Sequence, residues 1–146
     1  MSVKMEVWGD YACFSMPEFK TERYSYSVPT PSAARGMLES VYYHPGLKWH
    51  IDRIWVLKPI RFTTLRRNEV KSKILGSAIL TEANGKGASC IDRSADIMQR
   101  ATLMLRDVHY VIEAHFTMTD QANPSDNPGK FQDIVKRRLR KGQCYS

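Results

Sequence analysis

Two stretches of the chain alternate between apolar and polar side chains, which is the pattern of a strand with one buried face, and a third is rich in strand-forming residues. Residues 3–8 alternate over their whole length. Residues 49–57 are rich in aromatic and β-branched side chains and end just before Pro59, which has no N–H to continue a ladder. Residues 108–118 hold the longest alternation, so they are predicted to form the central strand.

The segments between these strands carry other signals. Residues 99–105 are predicted to pair with residues 108–118 as a hairpin that turns at an Arg-Asp pair. Residues 61–73 read as a cationic strand and loop. Residues 74–91 contain an apolar run and an Asn-Gly-Lys-Gly turn signal, but they lack the glycine spacing and the Gly-Lys-Ser/Thr ending of a phosphate-binding loop.

Two further stretches have the 3.6-residue period of an amphipathic helix. The first begins with Thr30 as N-cap and Pro31 at the first helical position, and residues 44–46 end it. The second covers residues 130–141, where basic residues surround an apolar stripe and Gly142 follows. Each stripe requires a flat partner, such as one face of a sheet.

The order of these elements is strand, helix, strand, strand, helix, with the start of a further strand at residues 144–145. That is the order of a ferredoxin-like βαββαβ fold without its last strand. We therefore predict one α+β domain over residues 1–146, with an antiparallel sheet and both helices on one face, because the two stripes need a common surface. The missing strand leads us to expect a truncated chain.

Composition limits the class of protein. A chain of 146 residues can bury a core without disulfides, and its three cysteines lack the close spacing of a zinc site or a disulfide framework. No apolar run reaches the length of a membrane span, so we expect a cytoplasmic protein. The formal net charge of +7 favours nucleic acid, rather than an anionic membrane surface, as the partner.

Two groups of basic residues are the candidate nucleic-acid contacts. One lies in the cationic strand, and the other lies on the second helix, where cations near the C-terminus also complement the helix dipole. Duplex DNA can bind to the same surface, because phosphate contacts do not read sequence. The predicted contacts are Arg61, Arg66, Arg67, Lys136, Arg137 and Arg140.

Seven separated motifs follow one another in order along the chain. They are Gly9-Asp-Tyr-Ala12, Ser25-Tyr-Ser-Val-Pro-Thr30, Gly36-Met-Leu-Glu-Ser-Val-Tyr42, Lys58-Pro-Ile60, Arg106-Asp-Val-His-Tyr110, Ala114-His-Phe116 and Pro128-Gly-Lys130. Together they resemble the CRISPR-associated Cas family five, subtype d, of type I-C systems.

The resemblance implies an RNA-recognition-like ferredoxin fold that cleaves CRISPR precursor RNA at its repeat hairpin without a metal or other cofactor. It also implies that the protein stays on the 5′ handle of the mature guide RNA, beside the other subunits of the interference complex. Family members continue beyond residue 146 with a closing strand and a small β-rich part.

The same resemblance implies where cleavage takes place. The family's tyrosine on the first helix falls on Tyr42, and its lysine at the start of the second helix falls on Lys130. The histidine that follows this lysine in the family is replaced by Phe131, which cannot carry a proton. We therefore predict Tyr42, Lys130 and His44 as the catalytic set, with His44 and Tyr43 the groups nearest in sequence to Tyr42.

Two hypotheses of different class stay open. Metal-free RNA cleavage needs a base for the 2′-hydroxyl and a cation or acid for the developing charge. Lys130 suits the second role, whereas Tyr42 suits orientation, because an ordinary tyrosine near pKa 10 is a poor base. The chain is then an endoribonuclease. The alternative is a non-catalytic RNA- or DNA-binding subunit of the same fold, which the absence of the histidine favours.

A metal site is the competing idea for three residues on one face of the central strand, namely His109, Glu113 and His115. Neighbours on that face are about 7 Å apart, so one cation can reach Glu113 and His115 at most. We expect no metal site here. Histidines that meet polar groups on neighbouring strands are the simpler account.

Overall fold

A computed structural model describes residues 2–87 and 92–144 of the chain. These residues form a mixed α+β fold, with five strands in one sheet and three helices. The strands are β1 (Ser2–Ala12), β2 (Arg23–Tyr24), β3 (Leu47–Val56), β4 (Phe62–Val70) and β5 (Ile97–Met118), and the helices are α1 (Pro31–Val41), α2 (Gly76–Ala83) and α3 (Pro128–Lys141).

The sheet is built around β5. Antiparallel partners β1 and β3 flank its C-terminal half on opposite edges. Its N-terminal half pairs with antiparallel β4 on one edge and with the short parallel β2 on the other. The predicted central strand is therefore confirmed, and so are the strands predicted at residues 3–8 and 49–57.

The hairpin predicted for residues 99–105 and 108–118 is wrong, because these residues form one continuous strand. Two-residue hairpin turns favour types that need positive φ at one or both central positions, which is why glycine and asparagine are preferred there. Here only Asp107 has positive φ, at 50°, so the strand is locally irregular but does not reverse. Asp107 also accepts a hydrogen bond from Lys58 Nζ at 2.7 Å, which ties the end of β3 to β5.

Two other expectations differ from the structure. Helix α2 lies where the sequence indicates an apolar run followed by a turn. The residue at its N-cap, Leu75, has no side chain that can cap a helix, and no residue of α2 is buried. The sequence therefore shows neither a capping residue nor a buried apolar stripe for this helix. At the C-terminus, Cys144 is not in a strand. The other half of the predicted final strand, residue 145, lies outside the described residues.

Both long helices pack on the same face of the sheet, as predicted. Their buried side chains form one cluster with the inward-facing residues of β1, β3 and β5. The ring of Phe131, on α3, lies 6.3 Å from that of Phe116 on β5. The core consists of Val3, Met5, Ala34, Leu38, Val41, Tyr42, Leu47, Trp49, Ile112, Ala114, Phe116, Phe131 and Val135.

The ends of these helices follow their capping residues. Thr30 Oγ1 accepts a hydrogen bond from Ala33 N at 3.2 Å, which confirms the predicted start of α1. Helix α3 begins two residues earlier than predicted, because Asn127 Oδ1 caps it by accepting from Lys130 N at 2.8 Å. Gly142 ends α3 in the left-handed conformation, with φ 63°. In the described part of the chain, no helix has the length and apolar character needed to cross a bilayer.

The register of β5 can be tested with two adjacent residues. Ile112 faces the core and is fully buried, whereas Val111 faces the outer side of the sheet and is half-buried. We expect Ile112→Ala to lower the free energy of unfolding by about 2–5 kcal/mol, because it leaves a core cavity. Val111→Ala is the matched control and should cost well below that amount. Urea unfolding followed by circular dichroism measures both. A larger loss for Val111→Ala than for Ile112→Ala would place the strand one residue out of register, and equal losses would contradict the difference in burial.

Candidate functional site

The end of α1 and the start of α3 meet at one edge of the core. Tyr42 follows α1 directly, and its backbone carbonyl accepts a hydrogen bond from Trp49 Nε1 at 3.2 Å. Its ring lies 5.8 Å from the ring of Phe131 and 6.4 Å from that of His44, to which it is nearly parallel. His44 in turn lies 4.9 Å from Phe131. Three of the residues singled out by the sequence are therefore neighbours.

Asp126 joins this group, although no pattern in the sequence selects it. Its carboxylate accepts a hydrogen bond from Lys130 Nζ at 2.8 Å, and its second oxygen lies 3.7 Å from His44 Nε2. The Asp126 side chain is only 2% exposed, whereas that of Lys130 is 48% exposed. Asp126 thus holds Lys130 from the protein side and leaves its ammonium open to a ligand.

The charges of the pair are fixed by this contact. The hydrogen bonds from Lys130 and from the backbone N–H of Asn123 lower the pKa of Asp126. The Asp126 carboxylate raises the pKa of Lys130 above its ordinary value. Lys130 is therefore a protonated cation at neutral pH, which suits charge stabilisation and excludes the role of a base.

Tyr42 lies in a different environment. Burial raises the pKa of Tyr42, and the nearby Arg138 cation opposes that effect. The guanidinium of Arg138 lies over the Tyr42 ring, 5.0 Å from its centroid, and its Nη1 donates to Val41 O at 2.8 Å. With a raised pKa, Tyr42 is a neutral hydroxyl that can orient a substrate group but cannot remove a proton near pH 7.

Each ring nitrogen of His44 has a neighbour: Nδ1 makes a hydrogen bond, and Nε2 lies 3.7 Å from Asp126 Oδ2. Nδ1 accepts a hydrogen bond from Gly46 N at 3.0 Å, so in the neutral ring the proton is on Nε2, which faces Asp126. Gly46 has no room for a side chain, because a Cβ there would approach Ala122 Cα to 2.7 Å. The lone pair that a general base needs is therefore occupied in this arrangement of the loop.

Position 131, where the resemblance expects a histidine, belongs to the core. Phe131 is fully buried and contacts the rings of Tyr42, His44 and Phe116. Its burial explains the choice of an apolar residue, since an unpartnered imidazole would be costly there.

The predicted basic contacts lie over two different halves of β5. Arg61 lies just before β4 and Arg66 lies within it, and both are exposed. Strand β4 pairs with the N-terminal half of β5. Arg67 is half-buried and donates a hydrogen bond to Glu69. The exposed residues of the second group lie on α3, which packs over the C-terminal half. The α3 group consists of Lys136, Arg137 and Arg140. The two groups therefore lie on different elements, one along β4 and the other on α3.

The strand histidines contact carboxylates on neighbouring strands. His109 Nε2 lies 2.6 Å from Glu6 Oε1, and His115 Nδ1 lies 2.8 Å from Asp52 Oδ1. Among residues 2–87 and 92–144, no group of three or more potential ligands is placed to hold a metal ion. The contacts fit the prediction that these histidines meet polar groups on neighbouring strands.

Comparison with known proteins gives consistent matches. The Cas5d family model, described as CRISPR-associated protein (Cas_Cas5), matches residues 2–146. A CRISPR pre-crRNA endoribonuclease Cas5d from Mannheimia succiniciproducens is 47% identical over 145 residues, which cover 98% of this chain and 64% of the relative. A protein of the same name from Thermus thermophilus is 40% identical over 143 residues, which cover 98% of this chain and 56% of the relative. The chain therefore spans less than two thirds of the length of either relative.

Solved structures share the fold at lower identity. A CRISPR-associated protein superposes with a TM-score of 0.63 at 24% identity, covering 97% of this chain and 56% of the other. A functionally uncharacterised Streptococcus mutans protein gives 0.62 at 22%, covering 99% and 58%. A chain of a CRISPR RNA-guided surveillance complex gives 0.55 at 13%, covering 96% and 54%.

The structural likenesses concern the fold alone, whereas the family model and the curated relatives concern the sequence over nearly its whole length. The family model, which matches residues 2–146 and is supported by the two curated relatives, shows that this chain belongs to the Cas5d family of CRISPR-associated proteins.

Proposed function

We propose that the chain is the catalytic part of a metal-independent endoribonuclease that cleaves CRISPR precursor RNA at the repeat hairpin. The observation that carries the proposal is the convergence of Tyr42, His44 and Lys130 around Asp126, since these residues come from separate segments of the chain. The curated relatives are named as pre-crRNA endoribonucleases, which supports this substrate class. After cleavage the protein stays on the 5′ handle of the guide RNA, as a subunit of a type I-C interference complex.

The fold that we propose is ferredoxin-like, of the RNA-recognition type. Support comes from the spatial order β1-β5-β3, in which the third strand lies between the first two, and from α1 and α3 on one face. In this description β2, β4 and α2 are additions to the basic fold. We propose that residues 2–87 and 92–144 belong to one RNA-binding domain.

The proposed reaction needs no metal. The 2′-hydroxyl of the RNA attacks its own phosphate, and the bond to the 5′-oxygen breaks to leave a 2′,3′-cyclic phosphate. Lys130, held by Asp126, stabilises the extra negative charge of the phosphorane or protonates the leaving 5′-oxygen. Tyr42 orients the 2′-hydroxyl. Its raised pKa keeps the phenol neutral for that task.

His44 is the proposed acceptor of the 2′-hydroxyl proton. For this role its Nδ1 must exchange the Gly46 N–H for the substrate hydroxyl. The exchange is local, because it requires only a change in the loop between α1 and β3. The occupied lone pair and the buried Phe131 are the observations that favour the alternative function, an RNA- or DNA-binding subunit without cleavage.

RNA cleavage in excess EDTA tests the catalytic proposal. We expect Tyr42→Phe and Lys130→Ala each to lower the single-turnover rate by about 10²-fold or more, the scale of one positioned acid–base group. RNA affinity should be nearly unchanged, and the product should end in a 2′,3′-cyclic phosphate. Tyr43→Phe, at an exposed neighbouring position, is the control and should cut at the parental rate. Loss of cleavage on chelation, or a fully active double variant, would falsify the site.

The Lys130–Asp126 pair also makes stability depend on pH. The pKa of Asp126 is lowered in the folded state, so its contribution is present above the unfolded carboxyl pKa of about 4 and is lost as pH falls through the folded value. The melting temperature of Asp126→Asn should therefore lie below that of the parent at pH 7, and the gap should close toward pH 3. Asp120→Asn, at an exposed position, is the control. A gap that stays constant with pH would show that the pair does not contribute through charge.

The basic residues can be assigned to RNA by the salt dependence of binding. Each phosphate contact on single-stranded RNA contributes a log–log slope of roughly −0.7. We expect replacement of Lys136, Arg137 and Arg140 by glutamine to reduce the magnitude of the slope, and replacement of Arg61 and Arg66 to do the same. Fluorescence anisotropy between 50 and 300 mM salt measures it. An unchanged slope in either variant would remove that group from the interface; duplex DNA run in parallel tests the second ligand.

A further inference from the structure

Three arginines approach one carboxylate on the half of the sheet that lies away from the candidate cleavage site. Arg67 on β4 lies directly opposite Arg100 on β5, and Arg23 on β2 pairs from the other edge of β5. Arg67 Nη2 donates to Glu69 Oε1, and Arg23 Nη2 lies 3.7 Å from the same oxygen. Arg100 Nε lies 3.7 Å from Glu69 Oε2. We call these four residues the arginine cluster.

The cluster carries more positive charge than its single carboxylate can balance. Three guanidinium groups face one carboxylate, which leaves two positive charges unbalanced. The side chains of Arg100 and Glu69 are 22% and 26% exposed, and those of Arg67 and Arg23 are 37% and 53% exposed. Like charges directly opposite each other on neighbouring strands destabilise a sheet. Glu69 relieves this repulsion only in part.

Two donors of the cluster also make no hydrogen bond, although Arg100 Nε is ion-paired with Glu69. The Nε atoms of Arg67 and Arg100 are shielded from solvent and have no hydrogen-bond acceptor within the described structure. Arg100 is nevertheless held in place, because its Nη1 donates to Thr21 O at 3.0 Å. A brace between β4 and β5 alone would need only one arginine and one carboxylate. The excess positive charge on the exposed parts of these arginines favours an anionic ligand.

We propose that the arginine cluster binds phosphates of single-stranded RNA, with Glu69 as a built-in competitor that the RNA displaces from the guanidinium groups. The planar donor forks of arginine match phosphate oxygens in a bidentate manner. The inference rests on the proposed function for the identity of the ligand, and it adds Arg23 and Arg100 to the predicted contacts. Side chains alternate along a strand, so Arg66 lies on the opposite face of β4 from Arg67 and does not belong to this site.

The test exploits the sign of the Glu69 effect. If RNA competes with Glu69, Glu69→Gln should tighten the binding of a labelled single-stranded RNA oligonucleotide by about threefold or more and steepen its salt dependence, as expected for one added phosphate contact. The matched control is Glu39→Gln, which changes the net charge equally but removes a carboxylate paired with Arg35 on α1. General electrostatics predicts equal effects for both variants.

The arginines supply the second arm. Arg100→Gln should weaken RNA binding and reduce the magnitude of the log–log salt slope by about 0.7, whereas Arg100→Lys should retain the slope but lose part of the affinity. The inference is overturned if Glu69→Gln matches Glu39→Gln and both Arg100 variants bind like the parent. It is also overturned if the variants alter binding of single-stranded DNA alone. Parent protein that binds no RNA would refute the proposed function itself, a result distinct from these.

Discussion

The pairing of every other described strand with β5 is the constraint on which the rest of the structure depends. At 22 residues, β5 is long enough to carry two different sets of neighbours. Its C-terminal half bears the core beneath α1 and α3, and its N-terminal half bears β4 and β2. The candidate cleavage site and the arginine cluster therefore stand on one continuous element, and their separation is fixed by the sheet.

The geometry of the candidate site follows from how α3 meets this core. Phe131 and Val135 are both fully buried, which sets the rotation of α3 about its axis. Successive residues of a helix are about 100° apart, so burial of Phe131 turns Lys130 toward the rim. There Asp126, in the loop before the helix, accepts a hydrogen bond from the Lys130 ammonium. Core packing thus sets the direction of the Lys130 side chain, and Phe131, which replaces the expected histidine, contributes to that packing.

The sequence predicted those features that depend on local periodicity and capping. Thr30 and the stripe after it marked α1, and two helices on one sheet face implied that Tyr42 and Lys130 would meet. The sequence does not predict the role of Asp126, because a loop carboxylate has no periodic signal and its partners are set by tertiary contacts. The continuity of β5 was missed because an Arg-Asp pair resembles a turn, and only its pairing with β3 and β4 keeps the chain straight.

Two carboxylates with cation partners have opposite consequences in this strongly basic chain. Asp126 is buried and holds one lysine, so its charge is balanced and the contact gives Lys130 a defined position and protonation state. Glu69 faces three arginines, so its contacts leave positive charge unbalanced and two donors without a hydrogen bond. The balanced pair holds Lys130 in one position and one protonation state, which suits a catalytic group, whereas the unbalanced cluster gains most from an added anion, which suits the capture of phosphate.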